Sequence, residues 1–350
     1  HHLNHLTPNT FCMDLYTAAM KWRLGEIDEA TWRRRSVSAA MTLAQRADIH
    51  FMRLHFRHLT WEEIESFRTG SAESADIERI IDRLAEELRR PELELTALPH
   101  AGFKKTTEGP PADTPILLRQ DSYRALTEPV VFINPDGTET RGAHTARFGE
   151  IEERFYAVTP AGRELYDRCL CEAEAAAGEH SDFEAREAAY ARAFSAFPKT
   201  LTELIGAGLV YASCEPTAQG LAAARDGAID TTDLLELHAQ GHIRLEGLRY
   251  EDFLPVSAAG IFASNLNQSG LRSDRARTSA PAQSAFEAII GRPVVDADRR
   301  YRGRSARALV DTFGALGLLE RLDPDVRVRL ESDPAQALEG RLTPMAAPTV

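Results

Sequence analysis

The sequence predicts an α+β protein, and three observations carry that expectation. Between Asp14 and Arg90, Ala, Leu and Ile recur at helical spacing among Arg and Glu. Short apolar runs follow at Ile116–Gln120 and Val130–Ile133, each of strand length. Asn134-Pro135-Asp136-Gly137 then supplies turn chemistry, because Pro presets φ and Gly accepts positive φ, so a hairpin is expected there.

The elements follow in chain order. His2 to Thr7 reads as a strand carrying alternate polar side chains, stopped by Pro8. Residues 14–90 read as helices: Thr60-Trp61-Glu62-Glu63 is a capping box, and a break at Gly70-Ser71-Ala72 precedes a helix through Ile77, Ile80, Ile81 and Leu84. Leu93 to Pro115, with Glu108-Gly109-Pro110-Pro111, reads as loop. After the hairpin turn, His144 to Val158 reads as a long strand containing Thr145, Arg147, Glu150 and Glu152. Thr159-Pro160 opens a helix, with Pro at the first turn. Further helices are expected at 185–197, 200–205, 231–238, 282–290 and 305–318, with strands at 209–213 and 243–250 and a frayed polar tail. No repeat of solenoid period is present.

Composition narrows the function classes. The 350 residues are 43% hydrophobic, enough for a packed core. A net charge of −12 argues against a general nucleic-acid surface, because counterion release needs clustered Lys and Arg. Trp32-Arg33-Arg34-Arg35 is short and neutralised by nearby acids, so a solvated helix face is expected. Four cysteines are few, and Cys169 and Cys171 are two apart in a helical pattern, pointing away from each other, which fits a reducing cytoplasm. No apolar run of about 18 residues exists to span a bilayer. The chain begins without Met inside what reads as a strand, so a longer parent protein is expected.

Chemistry is most readable in a His on one strand and a carboxylate on another, since two His and one carboxylate on iron leave open positions for substrate and oxygen. The sequence offers His2 or His5 early and Glu150 or Glu152 late. His2 and His5 differ by three and face opposite sides of a strand, whereas Glu150 and Glu152 share a side and are not separated by pattern. His55 and His58, with Glu62 one turn on, form a rival set at helical spacing. His144 reads as an outer-sphere group or a structural histidine, and His238 and His242 flank a helix end where a cation is favoured. Arg119, Gln120 and Arg147 could bind a substrate carboxylate through charge-assisted hydrogen bonds. The small residues after Val256 and Ser257 permit close backbone approach to a ligand. Dinucleotide, phosphate-loop and nucleophile-elbow motifs are absent.

Four blocks carry a resemblance. They are His2-Leu3-Asn4-His5-Leu6-Thr7-Pro8; Glu108-Gly109-Pro110-Pro111 with Ile116-Leu117-Leu118-Arg119-Gln120; His144-Thr145-Ala146-Arg147-Phe148-Gly149-Glu150-Ile151-Glu152; and Phe253-Leu254-Pro255-Val256-Ser257-Ala258-Ala259-Gly260-Ile261-Phe262. In this order they resemble the 2-oxoadipate dioxygenase/decarboxylase family, also called 2-hydroxyglutarate synthases, of the vicinal-oxygen-chelate superfamily. The resemblance implies βαβββ modules with a mixed sheet around iron(II), held by two His and one Glu. It also implies conversion of a small 2-oxo acid, 2-oxoadipate, and O2 into 2-hydroxyglutarate and carbon dioxide, a step of lysine breakdown.

Matched residue by residue, the resemblance gives His5 as a metal ligand, Glu150 as the preferred acidic ligand with Glu152 as its alternative, and Val256 and Ser257 as a substrate-pocket wall. It divides the chain into a first strand of the metal-binding module (1–13), a helical insertion (14–95), the rest of the module with appended helices (96–275), and C-terminal helices and tail (276–350). Asn9 stands where the family usually has Arg, and Phe11-Cys12-Met13 replaces a more acidic, aliphatic stretch. The family's first module, which brings the other His and an Arg that grips the 2-oxo acid, has no counterpart. Two competing expectations remain: another reaction of the same superfamily, or an inactive remnant or binding module whose helical stretch recruits a partner.

Overall fold

A computed structural model describes residues 12–46, 60, 74–97, 103–178, 183–251 and 283–332. The helices are α1 (Met13–Arg23), α2 (Glu29–Arg46), α3 (Ser74–Leu88), α4 (Pro160–Ala177), α5 (Phe183–Ala193), α6 (Leu201–Gly206), α7 (Ala218–Arg225), α8 (Leu234–Ala239), α9 (Gln283–Ile290), α10 (Ala297–Ala315) and α11 (Pro324–Ser332). The strands are β1 (Phe103–Glu108), β2 (Leu118–Ile133), β3 (Glu139–Arg154), β4 (Ala212–Pro216) and β5 (Ile243–Gly247). The α+β class is therefore observed. Two compact units form, one from residues 1–154 and 170–200, the other from 155–169 and 201–350. The span 14–95 lies within the first unit and 276–350 within the second, while 96–275 is shared between them.

In the first unit the helical stretch has its own core. Ile77, Ile80, Ile81 and Ala85 recur on one face of α3 and pack with Leu15 and Ala18 of α1 and Trp32, Ala39 and Leu43 of α2. Trp32 is fully buried and stacks on Trp22 with ring centroids 4.4 Å apart. The Asp28 carboxylate accepts the Thr31 N–H at 2.6 Å at the start of α2. Arg33 pairs with Glu29 at 3.1 Å and Asp82 at 2.5 Å, and Arg34 and Arg35 are exposed, so the arginine run is a helix face in solvent.

The sheet of this unit has the order β1-β2-β3, antiparallel throughout. Two strand signals at 116–120 and 130–133 turn out to be the two ends of one 16-residue strand, β2. The expected turn closes the hairpin: the Asn134 N–H donates to Thr138 O at 2.8 Å, and Gly137 has φ +82. Strand β1 occupies part of what reads as loop in the sequence. Among the described residues all strand pairs are antiparallel, so the expected mixed sheet is not met there; the hairpin turn joins neighbours directly, with no crossover between them. The expected strand at 2–7 lies outside the described residues.

In the second unit β4 and β5 pair antiparallel, flanked by bridges Tyr156–Arg249 and Val158–Val210. The long strand expected to reach Val158 ends at Arg154, because residues 155–158 leave the hairpin to pair here. Thr159 caps α4, its hydroxyl accepting the Gly162 N–H at 3.1 Å. Helix α10 crosses β4, where the Thr312 hydroxyl donates to Cys214 O at 2.9 Å over buried Leu309 and Phe313. It starts well before the expected Ser305, at an Asp296 cap. Among the described residues no helix is long and apolar enough to cross a membrane.

Candidate metal-binding strand

The base of the β2–β3 hairpin gathers most of the sequence-selected polar residues that the structure describes. Register pairs Arg119 with Glu153, Gln120 with Glu152 and Ser122 with Glu150. Because side chains alternate along a strand, Gln120 and Glu152 project to one side of the sheet and Arg119 and Glu153 to the other. All four are buried, and burial of charge requires partners. Just before the strand, Leu117 sits at φ +55, a left-handed conformation unusual for a branched residue, and is buried beside Ile116 and Leu118. Gly109 approaches from the other side: a Cβ there would lie 2.3 Å from Leu118 O, so the turn after β1 requires glycine.

On the Gln120 side, Arg154 Nε donates to Glu152 Oε2 at 2.9 Å, holding one carboxylate oxygen. On the other side, Arg119 Nη1 donates to Asp14 Oδ2 at 3.2 Å and lies 3.5 Å from Glu153 Oε2. Burial alone would pull the Arg119 guanidinium down, but Asp14 and Glu153 together push it above its ordinary range. Its Nε is buried without a hydrogen-bond partner. Arg119 thus holds two protein carboxylates, and its strand position turns it away from the side that Gln120 shares with Glu152.

The remaining expectations divide by location. Arg147 and Glu150 lie on β3, paired with Arg124 and Ser122, and His144 pairs with Glu128; their side chains lie outside the described part of the structure. His2, His5, Val256, Ser257 and the rival set His55, His58 and Glu62 fall outside the described residues altogether. His238 sits in the last turn of α8 with Nδ1 3.2 Å from Ile243 O, a structural contact at a helix end. Cys169 is buried and Cys171 exposed, as their helical spacing implies.

Sequence reasoning missed Glu153, Asp14 and Arg154. Glu153 is fully buried, and its Oε2 accepts the Met13 N–H at 3.1 Å. A buried acid beside two more obvious acids gives no periodic signal of its own; only the register reveals its partner.

As a donor set, Glu152 offers a hard carboxylate in dry surroundings, which suits one carboxylate position of a two-His-one-carboxylate iron site. Among the described residues no group of three or more His, Cys, Asp or Glu is arranged to hold a metal. Of His5, Glu150 and Glu152, only the alternative ligand Glu152 has a described side chain, so the fit extends to it alone.

Comparison with known proteins bears on the whole of this region. The family model for 2-oxoadipate dioxygenase/decarboxylase matches residues 34–265, which include β1 to β3 and run through the helical stretch. The chain belongs to this family. A 2-oxoadipate dioxygenase/decarboxylase of Pseudomonas putida is 43% identical over 219 residues, covering 61% of this chain and 46% of the relative. Its counterpart in Escherichia coli is 38% identical over 215 residues, covering 60% and 45%. The crystal structure of the hydroxyglutarate synthase from Pseudomonas putida in complex with 2-oxoadipate aligns with a TM-score of 0.49 and 30% identity, covering 84% of this chain and 71% of that one. The chain spans about half the length of the curated relatives it matches.

Proposed function

We propose that this protein contributes part of the iron(II) site of a cytoplasmic dioxygenase that converts 2-oxoadipate and O2 into 2-hydroxyglutarate and carbon dioxide. The observation that carries the proposal is the family match across residues 34–265. It takes in the strand bearing Glu150 and Glu152 and the segment containing Val256 and Ser257. In this proposal the module has the βαβββ plan of the vicinal-oxygen-chelate superfamily, and His5 and Glu150 are metal ligands. The alternative ligand, Glu152, already has one oxygen engaged by Arg154, which favours Glu150. The oxidising compartment that disulfides require is not called for, since Cys12, Cys169, Cys171 and Cys214 are all thiols.

Iron(II), when bound, would supply the redox chemistry and a template for the 2-oxo carboxylate. The chain's own residues do the rest. Glu150 and His5 would hold the metal, the carboxylate offsetting one of its two positive charges. Arg154 holds one oxygen of Glu152, which would keep that carboxylate away from the metal. The Gln120 amide, buried across the register from Glu152, would donate to a carboxylate of the substrate. Arg147 would supply charge to the same acid.

Oxygen consumption with 2-oxoadipate and iron(II) on the full-length protein tests this, measured together with 2-hydroxyglutarate formation. His5→Ala and Glu150→Ala are expected to abolish turnover, and Gln120→Leu to raise KM more than it lowers kcat. Turnover retained in both ligand variants would remove the metal assignment. Loss in Glu152→Ala with retention in Glu150→Ala would move it by one strand repeat.

A further inference from the structure

We infer that Glu153 is a positioning residue for the metal-binding strand, pinning β3 so that Glu152 stays on the opposite side of the sheet. The inference rests on the iron site proposed above. Three elements meet at one oxygen: Glu153 Oε2 of β3 accepts the Met13 N–H of α1 at 3.1 Å and lies 3.5 Å from Arg119 Nη1 of β2. Arg119 in turn reaches Asp14 in the first turn of α1 at 3.2 Å. Cys12, the residue capping α1, makes no side-chain cap hydrogen bond, so a carboxylate from a distant strand takes that role at the positive end of the helix.

The consequence for the site is one of register. A one-residue slip of β3 that brought Arg154 to where Glu153 sits would exchange its two faces and set a second guanidinium against Arg119. It would also strip a fully buried carboxylate and a buried guanidinium of their partners, which the low-dielectric interior penalises heavily. Glu153 therefore opposes that slip and keeps Glu152 on the other face of the sheet. It also ties β3 to the first turn of α1 through the Met13 N–H.

Manganese(II) binding to the full chain, followed by electron paramagnetic resonance and compared among five variants, tests this. Glu153→Gln is expected to keep the circular dichroism spectrum, weaken manganese(II) affinity by about 10- to 100-fold and alter the line shape of the bound ion. If that variant does not fold, Glu153→Asp, which keeps the charge and shortens its reach, is expected to show the same loss in smaller measure. Leu43→Ala, in the separate helical core, should lower the melting temperature without changing affinity or line shape, which distinguishes positioning from stability. Wild-type affinity and line shape in Glu153→Gln, or in Glu153→Asp where that is the folded variant, overturns the inference if His5→Ala and Glu150→Ala lose the ion. Binding that survives His5→Ala and Glu150→Ala overturns the metal site itself, and the inference with it.

Discussion

At the base of the β2–β3 hairpin Arg119, Gln120, Glu152 and Glu153 are 3%, 4%, 7% and 0% exposed, whereas at its tip Val131, Phe132 and Ile133 are 52%, 54% and 76% exposed. One ribbon thus inverts the usual rule twice, charged where it is dry and apolar where it is wet. The two ends obey different economies of interaction. At the base each charge is held by another, so removing any one strands its partner. At the tip the apolar side chains rest on local geometry: Phe132 lies over Gly142, where an added Cβ would come within 2.9 Å of the ring. Polar groups at the base are interdependent, and residues at the tip are nearly independent of one another.

The comparison breaks if the base tolerates substitution as the tip does. Glu153→Ala is expected to destabilise the first unit by about 3–5 kcal/mol, because Arg119 keeps its charge in a buried setting and Met13 loses its acceptor. Urea unfolding followed by tryptophan fluorescence measures this directly, since Trp22 and Trp32 lie in the helical core of that unit. Replacing both partners, Arg119→Met with Glu153→Leu, should recover all but about 1–3 kcal/mol, the residue being the orphaned Met13 N–H. A double variant no better than the single would show that the pair is not the unit of stability.

A smaller effect is expected at the turn that joins the two strands. Gly137→Ala should cost about 1–2 kcal/mol, from positive φ alone, since nothing lies within 4 Å of the added methyl. The same denaturation curve reports it. A loss equal to that of Glu153→Ala would erase the contrast between the two ends.

This contrast also marks how far the sequence could be read. The turn at Asn134–Gly137 and the Thr159-Pro160 helix start were legible because each depends on a few adjacent residues with fixed backbone preferences. Strand β1 was not: Phe103-Lys104-Lys105-Thr106-Thr107-Glu108 lacks an apolar alternation and pairs only along β2. Helix α11 was hidden by Val326-Arg327-Val328-Arg329-Leu330, whose period of two suggests a strand, although Asp323 caps it by accepting the Asp325 and Val326 N–H groups. At the base of the hairpin, pattern singled out Arg119, Gln120, Glu150 and Glu152 but assigned Arg119 to substrate. Its actual partners, Asp14 and Glu153, are distant in sequence or masked by neighbouring acids, and only pairing register exposes them.

At the tip itself, Ile133→Thr should change stability by no more than about 0.5 kcal/mol, since the side chain is already in solvent and Thr keeps β-branching. Its expected effect is on association: light scattering of concentrated protein should fall, because Val131, Phe132 and Ile133 form an exposed apolar run where, among the described residues, β2 pairs with β3 on one side alone. A stability loss above 1 kcal/mol would mean that the tip is packed after all.

The smallest expected effect is electrostatic and sharpens the same point. Asp136 accepts the Thr138 hydroxyl at 2.7 Å and the Thr138 N–H at 3.0 Å, and these two hydrogen bonds hold its carboxyl below the ordinary carboxylate range. Because the folded pKa is depressed, its contribution is fully present above the unfolded pKa of about 4 and is lost as pH falls through the folded value. Asp136→Asn keeps an acceptor but removes the charge. The gap in melting temperature between wild type and variant should therefore be present at pH 7 and close below pH 4. Its full size at neutral pH should also shrink in high salt, as an exposed charge demands. A gap that persists at pH 2 would assign the hydrogen bonds, rather than the charge, to the stability of the turn, and would make the tip as dependent on paired polar groups as the base.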